Sequence, residues 1–293
     1  MGPRKTRKNK RKQSRKHRGG KELSRGQYGL VYMPPLKCSD NEAKYDTQYI
    51  SKIFTTEDNG VDGLYKEYAN GLLVKELDPS GSWSITPELL CPLDKTQDNA
   101  NFLMKRVGKY KHQIVYRHGG VTLESLRLRI GEWDEYEKSG QIDERPYDVA
   151  AFKLYVSLFK QVLTLLPKLH VRYIHGDFHT NNILYNPEDG QLRMIDFGRL
   201  ESIQDNVNKL ISRATEQKPV DYYIDTVKQI DYAKIFSYID ADVWSFDDKK
   251  SLPAPFFAEW KQTISMNILY TRHKGTVTCQ MYIDAINALP DLP

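Results

Sequence analysis

Between His175 and Leu200 the chain reads HGDFHTNNILYNPEDGQLRMIDFGRL, and no other stretch constrains the fold as much. Asp177 to Asn182 is a tight polar loop. Ile183, Leu184 and Tyr185 follow as a short apolar strand, Asn186-Pro187-Glu188-Asp189-Gly190 supplies a turn cluster, and Leu192, Met194 and Ile195 mark a second strand. The expected product is a hairpin that returns Asp196 toward Asn182. Two hard oxygen donors brought together in this way suit Mg²⁺, which keeps several waters and takes one or two carboxylates plus substrate phosphates. Any of these residues alone would pass for a turn or cap residue, so the expectation rests on all of them at this spacing.

The elements around this stretch come in a definite order. Leu23 to Tyr32, LSRGQYGLVY, has Gly26 and Gly29 three apart and then Val31, a pattern that lets backbone approach a phosphate closely. Thr47 to Phe54 reads as a strand with Lys52 inside a β-prone run. Val61 to Leu77 has apolar residues at helical period. Glu67 stands mid-helix fifteen residues after Lys52, whereas Glu76 lies at the helix end. His112 to Leu126 reads as a strand, a Gly-Gly crossover and the start of a helix, and Asp148 to Leu169 as a strongly amphipathic helix that delivers the chain to His175. Further helices are expected near 203–215, 221–239, 255–273 and 276–289. Asp242-Val243-Trp244-Ser245-Phe246 looks like a helix motif, but Asp247-Asp248-Lys249-Lys250 and Pro253, which follow it, make poor helix, and coincidence accounts for it equally well.

Charge divides the 293 residues unevenly. The net charge is +5, yet residues 1–18 hold ten Lys or Arg and no acid, leaving 33 basic against 38 acidic residues in the remainder. A segment with no apolar residue beyond Met1 cannot bury surface, so residues 1–22 are expected to be a disordered basic tail. Its partners would be polyanions, nucleic acid or anionic membrane, or a nuclear-import receptor. Residues 132–148 have seven acids against two bases and read as a solvated insertion. No run approaches eighteen apolar residues and no apolar segment follows the N-terminal charges, which implies a soluble intracellular protein without a membrane span or secretory signal. Cys38, Cys91 and Cys279 are odd in number, widely spaced and outside any C-x-x-C, so the expectation is reduced thiols, with neither a disulfide framework nor a zinc site.

Taken in order, the glycine loop, Lys52, Glu67, the Gly-Gly crossover, H-x-D, Asn182 and D-F-G resemble the protein-kinase superfamily over about residues 23–200. HGDFHTNN is similar to the HGD-type loops of aminoglycoside and choline phosphotransferases and of atypical protein kinases. GQYGLVYMPPLKC, HGGVTL and the TRKNKRK…RGG tail resemble protein-kinase-like proteins of giant DNA viruses, which would place the protein in a host cytoplasm, nucleus or virion.

The resemblance implies an α+β, two-lobed fold: a β-rich N-lobe with one main helix over 23–117 and a mostly helical C-lobe over 118–293. It implies ATP and Mg²⁺, Asp177 as the catalytic residue, and Asn182 and Asp196 as metal ligands. Nucleotide contacts would come from Gly26, Gly29, Val31, Lys52, Glu67, Leu184 and the backbone of Tyr116, Arg117 and His118. The implied reaction moves a γ-phosphoryl group to Ser or Thr of a protein. The alternatives are a small-molecule phosphotransferase of the aminoglycoside or choline kinase type, and a pseudokinase scaffold, the latter disfavoured because no catalytic or metal residue is missing.

Departures from the resemblance are equally specific. Gly176 replaces the Arg that grips a phosphorylated activation loop in many protein kinases. His179 stands where Ser/Thr kinases place a Lys two residues after the catalytic Asp. Ile50 replaces the small residue that lines the adenine pocket, and no A-P-E follows Gly198.

Overall fold

The computed structural model describes residues 20–25, 29–40, 45–54, 60–94, 112–126, 149–247 and 278–287. The basic tail through residue 19, Gly26, the acidic stretch 132–148 and the helix expected near 255–273 lie outside the described residues. The chain divides into two compact units, Met1–Val61 with Glu88–Tyr116, and Asp62–Pro87 with Arg117–Pro293. The fold is α+β, with a β-sheet in the N-terminal region and helices through most of the rest.

The first unit is built on a five-stranded sheet in the order β1-β2-β3-β5-β4. Its strands are β1 (Lys21–Arg25), β2 (Gly29–Met33), β3 (Tyr49–Phe54), β4 (Leu89–Pro92) and β5 (His112–Arg117). Strands β1–β2, β2–β3 and β4–β5 pair antiparallel. Alternation sorts their side chains: Leu30, Tyr32 and Ile53 are buried with Leu36 and Leu93 in a small core, while Val31 and Lys52, paired across β2 and β3, lie on the opposite face. Strand β3 starts two residues later than expected because Asp46 makes a turn, accepting from Gln48 N–H at 2.8 Å and from Tyr49 N–H at 3.2 Å.

The cysteine expectation is corrected here. Segment 37–39 runs beside residues 92–94, with Cys38 bridged to Leu93, and a disulfide joins Cys38 to Cys91. Gln113 donates to the Leu36 carbonyl at 2.7 Å directly alongside it. Only Cys279 is a free thiol; it is buried, and that burial together with the nearby Asp225 raises its pKa.

The second unit takes up all but the first two residues of α1 (Gly60–Leu77), whose Gly71 is needed for a close approach: a Cβ there would stand 2.3 Å from Pro87 Cδ. Just past α1, the buried Asp78 carboxylate accepts from the backbone N–H groups of Ser82, Trp83 and Ser84 at 2.9 Å each. That clasp sets residues 83–85 along a three-stranded sheet of β6 (Val121–Thr122), β8 (Ile183–Asn186) and β9 (Gln191–Met194).

Helix α2 (Val149–Leu169) buries Leu158, Val162, Leu165, Leu166 and Leu169 along one stripe. Such leucines contribute roughly 1.5–3 kcal/mol each. They meet Phe178, Phe197 and Met194 in the main core. A two-stranded ladder of β7 (Tyr173–Ile174) with β10 (Glu201–Ser202) then closes the ends of the 175–200 segment on each other.

Three more helices follow: α3 (Ile203–Arg213), capped by Ser202 Oγ, α4 (Val220–Asp247) and α5 (Cys279–Asn287). Helix α4 runs past the expected 239 and through Asp242 to Phe246, since neither Gly nor Pro interrupts it.

Candidate functional site

The 183–195 hairpin forms as the sequence implied. Ile183 pairs with Met194 and Asn186 with Gln191, and Ile195 N–H donates to the Asn182 carbonyl at 3.0 Å. This bond places Asn182 and Asp196, the expected metal ligands, at the same end of the ladder. Asn182 is buried at the close of a one-turn 3₁₀ helix over Thr180–Asn182, and its Nδ2 donates to the Asp177 carbonyl at 2.9 Å. With the amide nitrogen so engaged, Oδ1 is the atom left to ligate a cation.

Asp196 has φ 63° and ψ 66°, the only non-glycine with positive φ among the described residues. Such a conformation costs on the order of 1–3 kcal/mol and recurs at sites that must aim a side chain.

His175 ties the loop to this hairpin. Its ring is fully buried between Phe178 and Phe197, with centroids 5.7 and 5.3 Å away, and its Nε2 donates to the Ile195 carbonyl at 2.9 Å. Behind the loop lies α4. Asp231, also fully buried, accepts from His175 N–H at 2.7 Å and His170 Nε2 at 3.0 Å through Oδ2, and from Gly176 N–H at 2.9 Å through Oδ1. Gly176 has φ +72°, and a Cβ there would stand 2.5 Å from the Arg199 carbonyl oxygen. The Arg that many protein kinases carry at this position therefore has no room.

Asp177 projects from the loop toward two cations and an imidazole. Lys234 Nζ of α4 donates to its Oδ1, Arg199 Nη1 lies 3.7 Å from the same oxygen, and His179 Nε2 lies 3.7 Å from Oδ2. Burial works to raise the carboxyl's pKa, but the bond and charge of Lys234, with His179 and Arg199, hold it below the usual range. His179 is pushed down by burial, with the Asp177 charge only partly offsetting this. Its Nδ1 accepts from Asn181 N–H at 3.2 Å, and its Nε2 lies 3.3 Å from Asn182 Nδ2 and 3.7 Å from Asp177 Oδ2. Thr180, fully buried, donates to Glu124 at 2.9 Å and pins the far side of the loop.

Helix α1 reaches the same region through two residues. Asn70 Nδ2 donates to the Phe197 carbonyl at 2.8 Å. Glu67 is buried, and its Oε2 would lie 3.7 Å from a Cβ built on Gly198, while Asp196 Oδ1 would lie 3.5 Å from it. Glu76, the other carboxylate considered on this helix, is exposed. Leu184 is buried against Gly119, and Arg117 and His118 are exposed just before it.

In the first unit, Gly29, Val31 and Lys52 gather on one face of the sheet. A Cβ on Gly29 would come within 3.7 Å of Lys52 Cε, and Lys52 Nζ sits 5.0 Å above the Phe54 ring. Tyr116 is buried at the end of β5.

Sequence reading missed Asn70, Asp231 and Lys234. Asp231 and Lys234 lie three apart on a helix, and nothing local distinguishes them from an ordinary i,i+3 surface pair.

Comparison with known proteins bears on the same segment. Residues 120–202 match the model of the phosphotransferase enzyme family, a span that includes Asp177, Asn182 and Asp196. Over it the chain is similar to phosphotransferases. No curated protein matches the sequence. Among solved structures, that of vaccinia related kinase 3 is similar at 16% identity and a TM-score of 0.36. The match covers 61% of this chain and 46% of that one, so the chain accounts for about half of the kinase it resembles.

Proposed function

We propose that this chain is an ATP-dependent phosphotransferase that moves the γ-phosphoryl group to a Ser or Thr hydroxyl of a protein. The observation that supports it best is the convergence of Asp177, Asn182 and Asp196 on one loop and one hairpin end, at the spacing phosphoryl transfer uses. Asp177 orients the acceptor hydroxyl and takes its proton.

The donor set fits a magnesium ion: a carboxylate, Asp196, and an amide, Asn182, whose nitrogen is already committed to the Asp177 carbonyl. When bound, Mg²⁺ neutralises phosphate charge. Lys52 is assigned to the α and β phosphates, with Glu67 orienting it. Gly26, Gly29 and Val31 are assigned to the phosphate-covering loop, and Tyr116, Arg117, His118 and Leu184 to the adenine.

A protein acceptor is favoured by the basic residues 1–18 and the acidic 132–148, which suit macromolecular partners. A small-molecule acceptor is the second reading, favoured by the match to the phosphotransferase enzyme family. The tail is proposed to bind polyanions. Deleting residues 1–20 should then weaken binding to DNA or anionic vesicles, and binding by the intact chain should fall steeply with salt.

The test is transfer of label from [γ-³²P]ATP with Mg²⁺ to casein and histones, run beside a panel of amino alcohols and sugars. Labelled protein supports the first reading, a labelled metabolite the second, and nucleotide binding without transfer would reduce the chain to a scaffold. Asp177→Asn should lower turnover by about 10²–10⁴-fold with nucleotide affinity kept. Asp196→Asn should weaken Mg·ATP binding as well as rate, because a metal ligand acts in the ground state too.

A further inference from the structure

Two cationic side chains stand at the Asp177 carboxylate, and neither comes from the position where H-x-D-x-K kinases carry theirs. His179 occupies that position and offers an imidazole. Lys234 arrives instead from α4, its Nζ donating to Asp177 Oδ1. Its place is fixed by Asp231, one helical turn earlier on the same face, which holds the backbone N–H groups of His175 and Gly176. Helix α4 thus grips three consecutive loop residues, two by backbone and the third by its carboxylate.

We propose that Lys234 is a catalytic residue: it supplies, from α4, the positive charge that meets the transferred phosphoryl group beside Asp177. The proposal rests on the phosphotransferase reading and deepens it. An ammonium has three N–H donors and Asp177 takes one, which leaves donors for phosphoryl oxygens arriving at the same carboxylate.

In the step, a lone pair of the acceptor oxygen forms the new O–P bond. The bond from the γ phosphorus to the β,γ-bridging oxygen breaks, its electron pair leaving with ADP. The acceptor proton passes to Asp177, and Lys234 stays protonated throughout, offsetting charge on the equatorial oxygens.

A purely structural ion pair is the competing account. The side chains are 31% and 25% exposed, and the two accounts part on whether a cation restored from another position recovers activity. Arg199 is the rival cation, but it lies 3.7 Å from the carboxylate and its side chain is 57% exposed.

The experiment measures ADP release by a coupled assay, which counts turnover whatever the acceptor, water included. It compares the wild type with K234M, K234Q, R199M and the double variant K234M/H179K. MgATP affinity is measured by calorimetry and folding by thermal melt.

Neutralising Lys234 should lower kcat by about 100-fold, the size of loss seen for one transition-state donor, with MgATP affinity within about threefold and melting unchanged. His179 Nε2 is already 3.7 Å from Asp177 Oδ2, so H179K returns a cation to the site and should recover about tenfold or more of the lost kcat. A structural ion pair predicts no such rescue.

K234M or K234Q melting like the wild type with full or increased kcat overturns the assignment. So does a 100-fold loss in R199M with Lys234 variants active. A wild type that turns over no ATP overturns the phosphotransferase reading along with it, whereas an active wild type with an active K234M overturns the lysine alone.

Discussion

Two supports hold the His175–Asn182 loop, and they are built differently. In front, the 183–195 hairpin makes its ladder from residues that follow the loop directly, and its turn is short and exposed. Behind, α4 holds the loop through Asp231, a buried carboxylate 55 and 56 residues away from the backbone groups it accepts from. The hairpin is assembled from many weak, local and partly solvated bonds. The α4 support of the loop backbone concentrates on one fully buried side chain. Damage to the first should be graded, whereas damage to the second should be abrupt.

Asp231→Ala is the severest way to test this contrast. It strands the buried His175 N–H, the part-buried Gly176 N–H and His170 Nε2, with about 1–3 kcal/mol lost for a buried group left without a partner. The expected cost is roughly 3–5 kcal/mol, with a melting point lower by roughly 10 °C and transfer activity lost. A circular-dichroism melt within about 2 °C of the wild type would show that the loop stands on the hairpin alone.

A matched pair of glycines sharpens the comparison at intermediate cost. Gly190 in the hairpin turn and Gly176 in the loop have nearly the same φ, +69° and +72°. Around a Cβ on Gly190 there is nothing within 4 Å, whereas one on Gly176 meets the Arg199 carbonyl oxygen at 2.5 Å. Gly190→Ala should cost about 1 kcal/mol, the conformational penalty alone. Gly176→Ala should cost about 1–3 kcal/mol more, since backbone must move to admit the methyl group. Urea unfolding of both variants gives the two numbers; equal losses would mean that the β7–β10 closure yields more easily than the geometry indicates.

The same contrast explains what the sequence disclosed. Hairpin strands, turn cluster and metal-ligand spacing all lie within 26 consecutive residues, so period and turn chemistry sufficed. Helices α1 to α4 could be placed to within a few residues, except where α4 continues to Asp247, because stripe and breaker residues are local signals too. Asn70, Asp231 and Lys234 act across 55 or more residues of chain, and an Asp on a helix that grips a distant loop looks like any polar helix residue. The Cys38–Cys91 pairing escaped for a related reason. It depends on segment 37–39 lying beside 92–94, and cysteine spacing says nothing about that neighbour.

Asn70 provides the mildest test, and one that separates a hydrogen bond from mere packing. Its Nδ2 donates to the Phe197 carbonyl, 127 residues along the chain, at a half-buried position. Asn70→Ala removes one neutral bond and leaves an acceptor that water can reach, so the cost should be about 0.5–1.5 kcal/mol. Asn70→Asp keeps the size and shape but turns the donor into a second acceptor facing a carbonyl oxygen. If the bond matters, the aspartate variant should be less stable than the alanine one, although it fills more space. If Asn70 merely fills space beside the D-F-G turn, the order reverses. Chemical unfolding at neutral pH reads that order directly, and a reversed order would remove α1 from the elements that hold Phe197 in place.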